Sequence, residues 1–471
     1  MTIGPPGDAA TTAGIAAATE EPAPEDQTRS AEDFSGRVLS FFATQVLTAA
    51  LGIFNGFFLA RLIGPSGKGD YYLVTFLPPT LMVLGQLGLP QAIAFFSARA
   101  RTRGLVRTTV VLALGIGVPM LAVVFALMPV IQSAVFHGLD ATMIVVPLLC
   151  LPLILNATFT TGIVVGRQAA RWLAIVYPAT SAAATVLIVV LAGILGLGVW
   201  GAILAYVATS IIQFLGFMFA AVRVSRTVPS PGTVRIRELF RYGLPYYPGS
   251  LTSFFSYRAD VYLLALLLVD PAAPLGYYSL SVSFAELVFF LPNAVAAFFF
   301  PHVAGGNPED SARQVPLVSR VTLLVTAATG LALVPASYIA IHWLLPAFEQ
   351  SLAPLYILLP GVVAISVSKV LAGYLSGLGR TGTTSVVSIS AFALNVVLNV
   401  FLIPPFGILG AATASLVSYT ASSIAYSMLS ARLAGVSWTA FWVPRGSDVR
   451  FTITTSAGIL RRLLKRGATA A

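Results

Sequence analysis

Apolar runs of about 20 residues, the length a helix needs to cross a hydrocarbon layer, recur from Arg37 onward with short polar breaks between them. Twelve are delimited: 38–60, 72–97, 108–133, 141–165, 172–195, 199–222, 243–268, 275–300, 317–344, 352–376, 383–403 and 408–430. None shows the strict alternation over about 10 residues of a membrane β-strand, so the pattern predicts helices. The breaks after the fifth and eleventh runs are very short turns, Leu195-Gly196-Leu197-Gly198 and Pro404-Pro405-Phe406-Gly407.

Polar positions inside these runs are few, and each stands out. The seventh run, Tyr246 to Leu268, carries Arg258 and Asp260 near its middle. A charge at that depth costs several kcal/mol and persists only where it faces protein or water. The chain is thus expected to enclose a polar cavity, with Arg258 and Asp260 on its wall. At about 1.5 Å per residue, Arg258 lies roughly 15 Å from the end of its run and Glu286 roughly 17 Å from the start of the next. Arg258 and Glu286 are at matching depth and are expected to pair. Residues 258 and 260 point to different sides of one helix, so Asp260 needs another partner. A static pair that fixes helix packing is the plain reading; a charge presented to an anionic substrate is the functional one.

Lys369 is the other cation inside a run, roughly 25 Å from the start of its helix; the plain expectation is that it snorkels to the interface. Asn395 and Asn399 share a helix face, and with Asn55, Gln45, Thr48 and Asn156 they read first as hydrogen-bonding glue between helices. Arg61, where the first run ends, reads as an interfacial anchor. Prolines at 119, 147, 152, 178, 245, 248, 292, 335 and 360 each remove a backbone hydrogen bond and are candidate kinks.

Composition agrees with a membrane chain. Of 471 residues 57% are hydrophobic and 9% charged, against about 25% charged in soluble domains; mean hydropathy is +0.89. The net charge of +10 matters through its placement, and no nucleic-acid partner is expected. Taking the N-terminus as cytoplasmic, the outer loops hold Arg61 and Lys68, and Arg258 and Lys369 lie inside runs. The other Lys and Arg of the 27 fall on the cytoplasmic side. That asymmetry supports twelve spans with both termini inside. Residues 1–36, with Glu20, Glu21, Glu25, Asp26, Glu32 and Asp33, read as a disordered acidic cytoplasmic tail rather than a signal peptide. The expected organisation continues with a six-helix bundle at 37–222, a basic linker at 223–242, a second six-helix bundle at 243–431 and a basic tail at 432–471.

The two bundles repeat weakly, at roughly 210 residues apart, as in transporters built from parallel repeats. Gly69-Asp70-Tyr71-Tyr72-Leu73 answers to Gly276-Tyr277-Tyr278-Ser279-Leu280, Gly162 and Gly166 to Gly373 and Gly377, and Gly198-Val199-Trp200-Gly201-Ala202 to Gly407-Ile408-Leu409-Gly410-Ala411. Enzyme signatures are missing from the sequence. His137, His302 and His342 are scattered, Cys150 is alone, no phosphate-binding loop of the ATPase type occurs, and no outer loop is large enough for a catalytic domain. No metal site or cofactor is expected.

Several local patterns, in this order, resemble the polysaccharide flippases of the multidrug/oligosaccharidyl-lipid/polysaccharide exporter superfamily. They are Leu59-Ala60-Arg61-Leu62-Ile63-Gly64-Pro65-Ser66-Gly67-Lys68-Gly69-Asp70-Tyr71 followed by Leu87-Gly88-Leu89-Pro90-Gln91-Ala92; Tyr242-Gly243-Leu244-Pro245 leading to Arg258-Ala259-Asp260, then Gly276-Tyr277-Tyr278-Ser279 and Pro301; and Asn395 to Asn399, Ile403-Pro404, Gly407 and Gly410-Ala411-Ala412. The resemblance covers about residues 37–435. It implies an all-α polytopic protein of twelve transmembrane helices, two pseudo-symmetric bundles forming a V around a central cavity that opens alternately to either side. It also implies a cargo, polyprenyl-diphosphate-linked oligosaccharide moved to the outer leaflet of the plasma (inner) membrane for cell-envelope polysaccharide. The diphosphate would meet Arg258, with Lys369, Arg61, Asn395 and Asn399 as further substrate contacts and Asp260 and Glu286 coupling to H⁺ or Na⁺. A polysaccharide polymerase and glycosyltransferases would be partners. Lipid II flippases are relatives that usually carry fourteen helices. Two rival readings remain: a cation-coupled drug antiporter of the same fold, which an intramembrane arginine disfavours, and a non-transporting scaffold for envelope assembly.

Overall fold

The computed structural model describes residues 24–99, 102–136, 138–227, 232–305 and 307–448. They are almost entirely helical: α1 Pro24–Gly85, α2 Leu89–Ala98, α3 Leu105–Ala126, α4 Met128–Ala134, α5 Ala141–Leu148, α6 Leu151–Gly166, α7 Ala170–Leu187, α8 Gly198–Thr227, α9 Ile236–Gly243, α10 Tyr247–Leu267, α11 Ala272–Leu287, α12 Phe290–Gly305, α13 Pro308–Ile339, α14 Leu352–Gly377 and α15 Thr381–Ala434. Among the described residues, Arg103 and Thr233 form an isolated β-bridge.

Seven helical stretches among the described residues are long and apolar enough to cross a membrane: Leu105–Ala126, Ala141–Gly166, Ala170–Ile194, Gly198–Arg226, Pro308–Leu344, Pro346–Gly377 and Thr381–Ala434. The bent pair Ala50–Gly85 and Leu89–Ala98, at 59°, makes an eighth if counted as one span. The protein is therefore membrane-embedded. The runs read from the sequence do not map one to one onto these stretches. The eleventh and twelfth runs share α15, which is broken at Gly407 (φ 56°). Asn395 Nδ2 lies 3.1 Å from Ser418 Oγ, whereas 23 residues of straight helix would separate them by about 35 Å. The chain folds back on itself at Gly407. The first and second runs share α1, whose helical path is interrupted at Gly64 (φ 67°).

Four runs expected as single spans, the second, third, fourth and eighth, are each divided between two helices, and proline explains the breaks in the fourth and eighth. Its ring clashes with the carbonyl four residues back. Pro152 thus disfavours continuous helix across Leu148, where α5 ends, and Pro292 does the same at Val288, between α11 and α12, whereas Pro119, Pro178, Pro335 and Pro360 are accommodated inside unbroken helices. The stretch 1–36, expected to be disordered, is helical from Pro24, and residues 1–23 lie outside the described residues. So do 449–471 of the expected C-terminal tail.

Glycines set the close crossings. Gly88, at φ 70°, opens α2, and a Cβ there would lie 2.0 Å from Gly243 O. Only glycine meets both demands. A Cβ on Gly69 would lie 1.7 Å from Ala272 O, and one on Gly276 1.9 Å from Pro65 O, so α1 and α11 cross backbone to backbone. The repeated glycines have repeated neighbours. A Cβ on Gly162 or Gly166 would lie 2.7 or 2.2 Å from the carbonyl oxygens of Pro90 and Ala94; the counterparts are looser, Gly373 facing Ala296 O at 3.5 Å and Gly377 meeting Val303 first and Phe300 O at 3.1 Å.

The chain after α15 is pinned to α13. Arg320 Nε donates to Asp448 Oδ2 at 2.6 Å and Nη1 to Ala440 O at 2.8 Å. Ser319 Oγ donates to Phe441 O and Trp442 Nε1 to Ser427 Oγ.

Candidate functional site

Below the α1–α11 crossing, three helices bring charge together. Arg258 of α10 points Nη2 at Glu286 Oε1 of α11, 2.8 Å away. Its Nη1 donates to the Tyr72 hydroxyl of α1 at 3.1 Å, and its guanidinium lies 5.7 Å from the centre of the Phe76 ring. Tyr72 is less than one turn beyond Gly69, so the close crossing is what carries its hydroxyl to Arg258. The Arg258 and Glu286 side chains keep 28% and 40% of their surface, leaving both within reach of a ligand. Asp260 faces elsewhere and is buried. Tyr278 of α11 donates to its Oδ2, and its Oδ1 accepts from Val261 N at 3.0 Å. An aromatic wall of Tyr72, Phe76, Phe254 and Tyr262 lines the same junction, with Tyr262 donating to Thr80 Oγ1 at 2.7 Å.

Lys369, expected to reach for the interface, has a protein partner within the helices. Its Nζ donates to Asn293 Oδ1 of α12 at 2.6 Å, lies 4.6 Å from the centre of the Phe289 ring, and is within electrostatic reach of Glu286. Arg258, Glu286 and Lys369 thus form one charged constellation. The other sequence-nominated residues lie apart. Arg61 is exposed and donates to Leu344 O at 2.9 Å. Asn395 and Asn399 are buried inside the α15 hairpin, where Asn395 Nδ2 reaches Ser415 and Ser418 and Asn399 Nδ2 reaches Asn395 Oδ1. Asn55 bridges α1 to α7 through Ser181 and Thr185. Asn156, expected to do likewise, is buried with neither side-chain atom hydrogen-bonded among the described residues. The side chain of Gln45 lies outside them. Lys68, expected in an outer loop, is only 4% exposed. Its Nζ is 5.4 Å from the Phe348 ring centre with no hydrogen-bond partner among the described residues.

Two cavities flank the constellation. An apolar one of about 490 Å³ runs between α1, α11 and 340–345, with Phe54, Phe57, Phe284 and Leu344 on its wall and Glu286 at its polar edge. A smaller one of about 180 Å³ lies between α14 and the two arms of α15, with Lys369 on its wall. The arrangement offers a cation for an anionic group, beside a greasy channel wall. Among the described residues no group of His, Cys, Asp and Glu is placed to hold a metal ion. Sequence reasoning missed Tyr72, Tyr278 and Asn293, which hold the charged side chains in place. A polar side chain in the helix next to a predicted ion pair was the available signal.

Known proteins place this fold. The chain resembles a solved multidrug resistance MATE transporter of the MOP superfamily in its inward-facing conformation, with TM-score 0.63 and 15% identity over 84% of this chain and 98% of that one. It resembles the lipid II flippase MurJ in an inward closed conformation, with TM-score 0.65 and 12% identity over 90% of this chain and 99% of that one. At such identities the likeness is one of fold. In sequence, 210 residues are 24% identical to the probable low-salt glycan biosynthesis flippase Agl15 of Haloferax volcanii. The matched stretch is 43% of this chain and 43% of that relative. Residues 37–303, more than half of the chain, match the family described as polysaccharide biosynthesis protein, and the chain belongs to that family.

Proposed function

We propose that this chain is a flippase, and not an enzyme, that moves polyprenyl-diphosphate-linked oligosaccharide from the cytoplasmic to the outer leaflet of the plasma membrane by alternating access. The observation that carries the reading is Arg258. It is a permanently charged guanidinium at the meeting of α1, α10 and α11, reachable, and oriented by Tyr72 and Glu286. A diphosphate replaces the carboxylate as its partner, exchanging one charge-assisted hydrogen bond for another with two phosphate groups to share it. Lys369 supplies a second cation on the same constellation. The apolar cavity beside Glu286 suits a polyprenyl chain lying between helices. Family membership and the name of the Haloferax relative support a lipid-linked glycan as cargo.

The fuller architecture belongs to this proposal: twelve spans, two six-helix bundles and both termini cytoplasmic. The fold-back at Gly407 and the break at Gly64 each turn one long helix into two crossings. The matched glycine contacts around Gly162 and Gly373 support two repeated halves, and the clustering of Lys and Arg supports the orientation. Arg61, Asn395 and Asn399 then hold helices together, while Asp260 and Glu286 are the carboxylates available to a coupling H⁺ or Na⁺.

The test is translocation of a fluorescent polyprenyl-diphosphate oligosaccharide in vesicles holding the purified protein, wild type beside Arg258→Ala. Transport by the wild type and its loss in an equally well folded variant supports the proposal. A wild type inert towards this lipid, which instead moves a cationic dye down an ion gradient, overturns it in favour of the antiporter. Transport intact in Arg258→Ala with lowered thermal stability makes the charge structural.

A further inference from the structure

Gly67-Lys68-Gly69 sets a lysine between two glycines, in the break between the first and second apolar runs. Both glycines are places of close approach. A Cβ on Gly67 would lie 2.9 Å from Val199 Cγ2 of α8, and one on Gly69 1.7 Å from Ala272 O of α11. The lysine between them is carried into the crossing. It is buried, and its Nζ has no hydrogen-bond partner among the described residues. What it meets is the buried ring of Phe348, 5.4 Å away.

The charged and titratable neighbours are engaged elsewhere. On α1, Asp70 is two residues on and points to another side of the helix; it lies within electrostatic reach of Asp270, just before α11. Arg61 donates to Leu344 O. In the 3₁₀ turn Pro346–Ser351, Glu349 lies 3.5 Å from His342. Tyr277 of α11 meets the Phe348 ring edge-on at 6.0 Å, and Tyr356 of α14 donates to Val334 O at 3.4 Å. From α8 the contact is Val199. No ion pair among the described residues includes Lys68. A cation over a ring is worth about 2 kcal/mol when dry. That is well short of the cost of stripping water from an unpaired ammonium, which gives up its proton instead. The closed crossing therefore holds Lys68 as a neutral amine. Once α1 and α11 part, water reaches Nζ and the side chain becomes an ordinary lysine, protonated below about pH 10.4. The closed and parted crossings differ by one bound proton.

We propose that Lys68 is a proton-releasing latch on the α1–α11 crossing. The crossing closes when Lys68 passes its proton to water at the rim, and taking a proton back holds the two helices apart. The proposal rests on the alternating-access reading above, in which these helices part and rejoin. The closed form binds one proton fewer, so rising pH favours closure and falling pH opposes it. One proton makes the ratio of closed to open molecules change by up to tenfold per pH unit.

The experiment reads that ratio for the full chain in nanodiscs, from about pH 7 to about pH 9.5, below the value of an exposed lysine. Spin labels on Ser66→Cys and Val269→Cys, both exposed positions flanking the crossing, report the distance across it. With Lys68 present, the closed population is expected to grow steadily with pH. Lys68→Met, similar in length and uncharged, is expected to be closed at every pH. Lys68→Arg, which cannot lose its proton, is expected to stay open. Lys68→Gln takes the place of Lys68→Met should that variant fail to fold. Two distances in a ratio that ignores pH overturn the latch, because Lys68 then stays charged against Phe348, while alternating access stands. The same pH slope in Lys68→Met also overturns it and assigns the proton to another of the neighbours named above. A single distance in every variant at every pH removes alternating access at this crossing, and the latch with it.

Discussion

Replacing Gly69 by alanine adds one methyl group at the place where α1 and α11 touch backbone to backbone. The new Cβ would lie 1.7 Å from Ala272 O, 2.7 Å from Ala272 C and 3.0 Å from Gly276 N. Real Cβ contacts essentially never fall under 3.0 Å, so the two helices must give by about 1.3 Å at the Ala272 carbonyl. The three nearest opposing atoms are all backbone, so no side-chain rotation relieves them. Overpacking of this kind costs about 1–3 kcal/mol. The net effect should be a structure biased away from the closed crossing. If the crossing has to close once in each cycle, 1–3 kcal/mol lowers the translocation rate about 5- to 160-fold. Displacement of α1 also stretches the 3.1 Å bond from Arg258 to Tyr72. The assay pairs thermal unfolding in detergent with translocation in vesicles. Gly115→Ala serves as the control, because nothing lies within 4 Å of a Cβ there. Wild-type stability and rate in Gly69→Ala would refute the contact itself. Lowered stability with an unchanged rate would refute the idea that the crossing works in the cycle.

Other perturbations have equally definite outcomes. Asp448→Asn strips the charge from a buried, two-point pair with Arg320; loss of one partner of a buried pair costs about 3–5 kcal/mol, and detergent-solubilised protein should melt correspondingly earlier. The Arg320 hydrogen bond holds the Asp448 carboxyl below the usual carboxylate range against an opposing effect of burial. Its folded pKa being the lower one, the pair stabilises the fold above about pH 4, and that contribution fades as pH falls through the folded value. A melting temperature that rises on acidification in the wild type relative to Asp448→Asn would contradict this. Tyr278→Phe leaves the buried Asp260 without its hydroxyl donor and should cost about 1–3 kcal/mol, read in the same melt. Asn395→Ala should cost about 0.6–1.7 kcal/mol, the range for hydrogen bonds between membrane helices, and should leave lipid binding untouched.

How far the molecule was legible differs from one feature to the next. Helix content and membrane residence follow from apolar run length alone, because a lipid-facing helix has no other way to satisfy its backbone. The Arg258–Glu286 pair followed from depth, since two charges at one level on consecutive helices have little choice of partner. The division of helices was harder. Gly407 and Gly64 fall in breaks already visible between runs, while Pro152 and Pro292 end a helix inside a run, where the sequence reading foresaw only a kink. Lys68 was misjudged as a loop residue because its place inside α1, against Phe348, depends on packing that the charge pattern does not reveal. Tyr72, Tyr278 and Asn293 escaped notice for a different reason. A hydroxyl or amide in an apolar helix gives no hint of its partner until the crossing angles are known, and here glycine contacts set those.

The fold-back of α15 has a consequence for how the protein is made. Asn395 and Asn399 lie before Gly407, while Ser415 and Ser418 lie after it. In the leading arm alone Asn399 Nδ2 keeps its bonds to Asn395, but Asn395 Nδ2 loses its serine partners, and an unbonded amide donor in lipid is unfavourable. The two arms should therefore leave the insertion machinery together as a preassembled hairpin. A ribosome stalled or a gene truncated at Gly407 would release a chain whose last helix does not settle in the bilayer and becomes a substrate for membrane quality control. Chains carried past Ser418 should escape that fate, so a nested series of truncations across 407–418, followed by protein half-life in cells, would mark the residue at which the hairpin becomes self-sufficient.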